Sequence, residues 1–196
     1  MPAIVILPTL PDALRRDAAE LIYTAFERKW RVLTGAHSQR LVALLAESLR
    51  ADQVLTAVDE GRLVGVANLG YGRSSAQSAS LGACLRHMGL LRGLLAWLVL
   101  RRLGGHCPPD ELHVETLAVD AAYRGQGIGT RLLEAAIARA RQRGYAAARL
   151  EVVDTNAGAR RLYERLGFVA IATRNMPFVP ASMGFRAEIV MRRAMD

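Results

Sequence analysis

Three glycines at alternating positions mark the segment whose residues point most clearly to chemistry. They lie in the stretch YRGQGIGTRLLEAA, which begins at Tyr123, and an arginine, Arg124, directly precedes the first of them. The first backbone N–H groups of a helix have no intrahelical partner, and the helix dipole makes that end attractive to anions. Glycines there remove the side chains that would hold a bulky phosphate group away from the backbone. The segment therefore indicates a phosphate-binding turn at the start of a helix.

The spacing of these glycines does not match two common phosphate-binding motifs. The dinucleotide fingerprint G-x-G-x-x-G fails, because counting from Gly125 or from Gly127 brings a threonine or a leucine to the position of the third glycine. The P-loop pattern fails because no lysine follows any of the glycines. The pattern that is present is Arg124-x-x-Gly127-x-Gly129.

This pattern resembles the acetyl-CoA pyrophosphate loop of the Gcn5-related N-acetyltransferases (the GNAT family), whose signature is Gln/Arg-x-x-Gly-x-Gly/Ala. The segment NAGARRLYERLGF, from Asn156 to Phe168, is similar to the second motif of that family, Asn-x-x-Ala-x-x-Leu-Tyr-x-x-x-Gly-Phe. The two segments occur in the family's order, with one predicted helix and one predicted strand between them. The resemblance covers residues 112–168, extends to the amino-terminal helices and hairpin, and leaves out residues 73–110.

The resemblance implies that acetyl-CoA is the cosubstrate and that no metal is required. Amide groups between Arg124 and Thr130 would hold the pyrophosphate, and the pantetheine arm would lie beside the strand that ends at Val119. Asn156 would hydrogen-bond the pantetheine, and the small side chain of Ala159 would leave room for it. The residues implied to bind the cofactor are Leu117, Val119, Arg124, Gly125, Gln126, Gly127, Ile128, Gly129, Thr130, Asn156, Ala159 and Tyr163.

Three residues are candidates for acid–base chemistry. The resemblance implies that the phenol of Tyr163 protonates or stabilises the leaving thiolate, and its alternative role is packing on the helix face. An amine nucleophile must lose a proton before it attacks, so a base or an ordered water is also needed. Strand alternation predicts that His113, Glu115 and Leu117 share one face, opposite Val114, Thr116 and Ala118. Glu115 is the first choice for the base and His113 the second, and for each the alternative is an ordinary polar residue beside the cleft.

Strands and helices that could position these residues alternate along most of the chain. The predicted elements are a strand at 3–7, helices at 12–26 and 38–49, a hairpin that turns at 59–61, a strand at 112–119, a helix at 127–143, a strand at 147–153, a helix at 157–166, and strands at 168–173 and 185–192. This order predicts an α/β fold with helices on both faces of the sheet. The resemblance adds that it is a GNAT-type acyl-CoA N-acyltransferase fold, a single domain over residues 1–196 whose mixed central sheet is splayed at the cofactor cleft.

Residues 73–110 interrupt this order before the cofactor strand, and we interpret them as a helical insertion. The segment contains a helix around Trp97 that is apolar on nearly every side, and such a helix must be buried by something. We favour burial on the acceptor side of the cleft or in a homodimer contact over burial in a membrane surface, although the arginines near its ends would suit a membrane. An apolar lid over the acceptor pocket would favour a hydrophobic or aromatic amine.

Composition narrows the class of protein. The chain has 196 residues, a net charge of +8 and only two cysteines, Cys84 and Cys107, which fits a reducing compartment. The first twenty residues do not have the layout of a signal peptide, so we expect a cytoplasmic protein. Nucleic acid is disfavoured as a partner, because no platform of aromatic and basic residues accompanies the arginines.

The sequence as a whole predicts an N-acetyltransferase. It would transfer the acetyl group of acetyl-CoA to a primary amine by direct attack in a ternary complex. The acceptor could be a small molecule or an amine of a peptide or protein. Two alternatives remain: a non-catalytic sensor that binds acyl-CoA, and a basic module that docks on nucleic acid or anionic lipid.

Overall fold

A seven-stranded sheet forms the centre of the molecule, with strand order β1-β2-β3-β4-β5-β7-β6. The computed structural model describes residues 4–27, 39–72, 74–103, 107–177, 179–180 and 183–195, without the side chains of residues 92, 96 and 99–103. The strands are β1 (Val5–Leu7), β2 (Val54–Asp59), β3 (Arg62–Tyr71), β4 (Glu111–Val119), β5 (Ala147–Val153), β6 (Val169–Asn175) and β7 (Ala187–Ala194).

Helices cover both faces of this sheet, which confirms the predicted α/β class. They are α1 (Arg15–Ala25), α2 (Gln39–Ser48), α3 (Leu81–Met88), α4 (Leu90–Leu103), α5 (Ile128–Gln142) and α6 (Ala157–Arg165). On one face, α5 buries an apolar stripe at helical spacing that includes Ile128, Leu132 and Leu133. On the other face, α1 and α2 bury residues such as Ile22 and Leu44.

The strand pairing makes the sheet mixed and opens it at one place. Every pairing between the described strands is antiparallel except that of β4 with β5, which is parallel. The parallel ladder runs from Glu111–Ala147 only as far as Val114–Leu150, although β4 continues to Val119. The two strands therefore separate over the second half of β4, and a cleft opens between them.

A β-bulge in β4 changes which side chains share a face. Asn68 of β3 is paired with Thr116 and the next residue with Val114, so Glu115 is the extra residue. Beyond the bulge, Leu117 packs into the α5 core together with Val114. The predicted alternation was therefore wrong for Leu117, which lies opposite His113 and Glu115 rather than beside them. A single added residue reverses a side-chain period of two.

Most of the predicted boundaries differ from the structure by only a few residues. The hairpin turn is confirmed at Glu60 and Gly61, which both have positive φ. Helix α1 begins after a single 3₁₀ turn at Asp12–Leu14, and the last two strands begin and end one or two residues later than predicted. The predicted cap of α2, Ser38, lies outside the described residues.

The insertion consists of two helices rather than one. Helix α3 ends and α4 begins on either side of Gly89, which has a φ of 79°. Both helices lie on the face of the sheet that carries α1 and α2, because Ala83 and Cys84 of α3 belong to the same buried cluster as Tyr23 and Leu41. Among the described helices, none has the length and apolar character needed to cross a membrane.

Candidate functional site

The turn between β4 and α5 holds the three glycines, and two of them face open space. Gly125 and Gly127 both have a φ of 78°, and a Cβ atom at either position would meet no atom within 4 Å. Their φ values require glycine, whereas packing does not. At Gly129 a Cβ atom would lie 3.4 Å from the Leu162 side chain, which is an ordinary van der Waals contact. Close packing therefore does not require glycine at Gly125 or Gly127, and at Gly129 it leaves room for little more than a methyl group.

The start of α5 is uncapped, and the turn that precedes it, residues 124–127, is exposed. Gly127 occupies the N-cap position, and among the described residues no side chain accepts a hydrogen bond from the helix start. The side chains of Arg124 and Gln126 fold back on the turn, where they donate to the carbonyl oxygens of Val119 and Ala122 at 3.3 and 3.4 Å. The backbone N–H groups at the start of the helix are left without side-chain acceptors. An open, uncapped helix start of this kind fits a phosphate group.

Side chains outside the turn fix its position. The hydroxyl of Tyr123 donates to Asp59 Oδ2 at 3.0 Å, and the guanidinium of Arg62 donates to Asp120 Oδ2 at 2.9 Å. Asp120 also accepts from the backbone N–H of Ala122 at 3.0 Å. These hydrogen bonds attach the turn to the β2–β3 hairpin and fix its position.

Asn156 and Ala159 stand at the start of α6, as the second motif requires. Asn156 Oδ1 accepts from the backbone N–H of Ala159 at 3.1 Å and so caps the helix. The role that sequence reasoning assigned to Asn156 was cofactor binding, and the structure adds this capping role. Because capping uses only the oxygen, the side-chain amide nitrogen remains available to a ligand.

Tyr163 lies on α6 and faces the core beneath α5. Its side chain is only 8% exposed, and its ring lies 6.2 Å from that of Phe168 in a tilted arrangement. Burial raises the pKa of the Tyr163 hydroxyl to about 12. The phenol therefore stays protonated at neutral pH and can donate a hydrogen bond.

His113 forms a close pair with a glutamate that sequence reasoning missed. His113 Nε2 lies 2.5 Å from Glu151 Oε2, and Arg149 Nε lies 3.5 Å from the other oxygen of that carboxylate. Burial alone would raise the pKa of Glu151, but the hydrogen bond from His113 and the charges of His113 and Arg149 outweigh it, and the pKa is lowered. Glu151 is therefore ionised at neutral pH, immediately beyond the last β4–β5 pair, Val114–Leu150.

The position of Glu151 could have been inferred from the strand pattern. In the parallel ladder His113 is paired with Arg149, and residues two apart in a strand share a face. Glu151 therefore shares a face with His113 if β5 lies beside β4. The search for a base considered only residues of β4, so Glu151 on β5 was missed.

Glu115, the bulge residue, is held by the segment that leads into the insertion. Its Oε2 accepts from Ser75 Oγ at 2.9 Å and from the backbone N–H of Ala76 at 3.1 Å. The missing side chain of Gly70 leaves room for the carboxylate, since a Cβ atom there would lie 2.6 Å from Glu115 Oε1. Burial raises the pKa of Glu115, although the hydrogen bond from Ser75 and the charge of His113 act in the opposite direction.

A chain of charged side chains extends from this group to Arg192 on β7. Glu111 Oε1 accepts from Arg192 Nε at 2.6 Å, and Glu111 Oε2 lies 3.8 Å from Arg149 Nη1. Because Arg149 also faces Glu151, these groups form a continuous network that reaches Glu151. Each buried charged side chain of this network therefore has at least one partner of opposite charge on the same sheet.

The structure thus groups the polar candidates on one face of the sheet and Tyr163 on the other. His113, Glu115 and Glu151 lie at the point where β4 and β5 separate, on the face that carries α1 and α2. Tyr163 lies in the core on the opposite face. Since the cleft opens between the strands, it gives access from one face to the other.

Comparison with protein families identifies one match over most of the chain. A model described as "Acetyltransferase (GNAT) family" matches residues 19–168. An uncharacterized protein of Mycobacterium leprae, ML0378, is 43% identical over 101 residues, which are 52% of this chain and 26% of that protein. The [ribosomal protein bS18]-alanine N-acetyltransferase of Escherichia coli K12 is 42% identical over 82 residues, 42% of this chain and 55% of that enzyme.

A third relative is the N-alpha-acetyltransferase RimI of Mycobacterium tuberculosis, 40% identical over 81 residues, 41% of this chain and 49% of that enzyme. The chain therefore spans about half or less of the length of these curated relatives.

Solved structures show the same fold. A GCN5-related N-acetyltransferase from Kribbella flavida aligns with a TM-score of 0.64 and 22% identity, covering 98% of each chain. The S18-alanine N-acetyltransferase from Escherichia coli aligns with a TM-score of 0.59 and 23% identity, covering 99% of this chain and 95% of that one.

The contacts of Glu115 predict a pH-dependent effect on stability. A carboxyl whose pKa is higher in the folded than in the unfolded protein stabilises the fold below its unfolded pKa, about 4.3 for glutamate. That contribution is lost as the pH rises through the folded value. Glutamine resembles the protonated acid at every pH, so we expect Glu115→Gln to become more stable relative to wild type as the pH rises from about 4 to about 7.

Chemical denaturation of both proteins across this pH range measures the effect. The matched control is Glu134→Gln, on the exposed side of α5, which removes the same charge from the surface. A stability difference for Glu115→Gln that stays constant with pH, or that follows the control, would contradict the expectation.

Proposed function

The chain belongs to the acetyltransferase (GNAT) family, and from that premise we propose that it transfers the acetyl group of acetyl-CoA to a primary amine by direct attack in a ternary complex. The observation that carries the proposal is the open, uncapped turn at Gly125 and Gly127, next to the place where β4 and β5 separate. An anionic ligand at the turn could extend directly into the cleft.

The proposed cofactor site uses backbone groups more than side chains. The amides from Arg124 to Thr130 would hold the pyrophosphate. In the part of the chain that the structure describes, the edge of β4 beyond Val114 has no strand partner on the side of β5. It would offer its N–H and C=O groups to the amides of the pantetheine arm. Asn156 would donate its free amide nitrogen to the same arm, and Ala159 would leave space for it.

In the proposed reaction, the amine nitrogen attacks the thioester carbonyl carbon and the C–S bond of the tetrahedral intermediate then breaks. A backbone N–H of β4 near Val119 would stabilise the oxyanion. The proton of the amine would pass to Glu151, which is ionised and oriented by His113. The leaving thiolate would be protonated or stabilised by the hydroxyl of Tyr163.

We assign Glu115 a positioning role in place of the role of base that the sequence suggested. Its Oε2 already accepts two hydrogen bonds, one from Ser75 and one from Ala76. It would hold the start of the insertion against the acceptor side of the cleft.

For the acceptor, we propose the amino terminus of a peptide or protein as the first class to test. The named relatives from Escherichia coli and Mycobacterium tuberculosis act on a ribosomal protein alanine and on alpha-amines. An alpha-amine has an ordinary pKa of about 7.7–8.0, so part of it is already deprotonated near neutral pH. A carboxylate–histidine pair is then a sufficient base. A sensor that binds acyl-CoA without catalysis is the alternative, and the absence of turnover with any amine despite tight binding would favour it.

The glycine turn predicts a specific loss of cofactor binding. We expect Gly127→Val to abolish acetyl-CoA binding, because the added side chain would occupy the open space at the helix start. Gly144→Val is the matched control, since Gly144 has a φ of 71° at the other end of α5 and also faces no atom within 4 Å. Both changes strain the backbone equally, so calorimetric titration with acetyl-CoA separates strain from loss of the site. Equal affinities in the two variants would contradict the proposed pyrophosphate site.

The hydroxyl of Tyr163 predicts an effect on turnover rather than on affinity. We expect Tyr163→Phe to lower kcat by about 10²-fold, the lower range for loss of a general acid, and to leave the Kd of acetyl-CoA within about twofold. Steady-state kinetics and calorimetry measure the two quantities. Tyr145→Phe is the control, because Tyr145 stacks on Tyr71 beyond the end of α5. Unchanged turnover in Tyr163→Phe would remove this residue from the mechanism.

A glutamine substitution at Glu151 and at Glu115 distinguishes which of the two carboxylates is the base. We expect Glu151→Gln to lower kcat/KM by about 10²-fold and to remove the acid limb that the base contributes to the pH–rate profile. Glu115→Gln keeps two acceptor sites for Ser75 and Ala76, so we expect it to retain most of the activity. The reverse result, with Glu115→Gln inactive and Glu151→Gln active, would show that Glu115 is the base.

A further inference from the structure

An apolar stripe on the insertion is the most exposed hydrophobic surface of the described protein. Nine large apolar side chains are at least 38% exposed in the described residues, and six of them lie on α3 and α4. The five on α4 are Leu90, Leu91, Leu94, Leu95 and Leu98, with exposures from 42% to 80%. Their spacing of i, i+1, i+4, i+5 and i+8 places them on one face of the helix.

The opposite face of α4 is fixed against the protein. A Cβ atom at Gly93 would lie 2.5 Å from the carbonyl oxygen of Cys84, so α3 and α4 touch at backbone distance. Trp97 packs on the buried cluster that α1, α2 and α3 share. On α2, Glu47 binds both Arg86 and His87 of α3 at 2.8 Å. The stripe is therefore held outward by packing, and a simple rotation of α4 would not bury it.

The sequence of the insertion carries charge of one sign. Residues 61–109 contain six arginines and neither aspartate nor glutamate. Three of these arginines, Arg92, Arg101 and Arg102, belong to α4 itself. A second copy of the chain would bring the same basic sequence to a symmetric contact, whereas an anionic surface would complement the arginines of α4. A surface that complements α4 would therefore have an apolar interior for the leucines and anionic groups at its boundary for the arginines.

From this combination we propose that α4 docks on an anionic lipid surface, with the leucine stripe in the headgroup layer and the arginines beside the lipid phosphates. A helix with exposed leucines and basic residues binds such a surface through apolar burial and electrostatic attraction together. Helix α4 has 14 residues and is thus about 21 Å long, too short to span a bilayer. It lies on the membrane and does not cross it.

Docking would bring the lipid surface near the acceptor side of the cleft. The segment that leads into α3 is the one that binds Glu115 through Ser75 and Ala76. This proposal is independent of the acetyl-transfer chemistry, since the stripe contains none of the residues proposed to bind acetyl-CoA or to react.

Cosedimentation of the whole chain with vesicles tests the proposal. The probes are vesicles of phosphatidylcholine alone and of phosphatidylcholine with about 30% phosphatidylglycerol, which carries the anionic charge. We expect binding to the anionic vesicles that weakens as salt rises from about 50 to about 500 mM, and much weaker binding to the neutral ones. We expect the double variant Leu90→Glu/Leu94→Glu to lower the partition coefficient at least about tenfold.

The matched control is Val169→Glu/Ile171→Glu on β6, where the two side chains are 62% and 49% exposed. It adds the same charge at equally exposed apolar positions, so we expect it to bind as wild type does apart from the small effect of net charge. Retained circular dichroism and acetyl-CoA affinity show that each variant is folded.

Three results would overturn the proposal. They are no binding of the wild type to anionic vesicles, equal binding to neutral and anionic vesicles, and equal loss in the two double variants. A wild type that is dimeric by light scattering, with a monomeric Leu90→Glu/Leu94→Glu variant and no vesicle binding, would assign the stripe to a second copy of the chain instead.

Discussion

The early end of the β4–β5 ladder is the constraint on which the rest of the site depends. Parallel strands normally satisfy each other along their length, but here the pairing stops at Val114–Leu150 while both strands continue. Backbone groups of β4 beyond that point have no partner on that side among the described strands, and an unpaired edge is a binding surface for an extended ligand. The glycine turn follows at the end of the same strand, so the anion site and the open edge are in line because one strand supplies both.

The bulge at Glu115 marks the same point in β4. It adds one residue where the strands part, which turns Leu117 toward the α5 core and leaves Glu115 on the opposite face with His113. Without the extra residue, the apolar side chains at the end of β4 would face away from α5. The bulge therefore lets one strand carry polar residues on the acceptor face and then an apolar wall under the helix.

Sequence reasoning reached the parts of this arrangement that depend on local chemistry. Positive φ at a helix start requires glycine, and the alternation of strands with amphipathic helices requires a layered sheet, so the turn and the fold class were legible. The bulge was not, because the residues around Glu115 alternate as an ordinary strand does, and the added residue shows only against the register of β3. Glu151 was missed for a related reason. Its partner His113 is 38 residues away in the sequence, and the two meet only because β4 and β5 are adjacent strands.

Burial raises the pKa of both Glu115 and Glu151, and the net shifts are opposite because their partners differ. Glu151 forms a hydrogen bond with His113 and faces Arg149, and these partners keep its pKa low despite burial. Glu115 receives hydrogen bonds from neutral donors, Ser75 and a backbone N–H, and its pKa is raised. Two carboxylates on one face are thereby driven toward different charge states, which is the condition for different roles. The contacts of the two carboxylates differ in the same way: those of Glu115 join it to the start of the insertion, and those of Glu151 orient it where β4 and β5 separate.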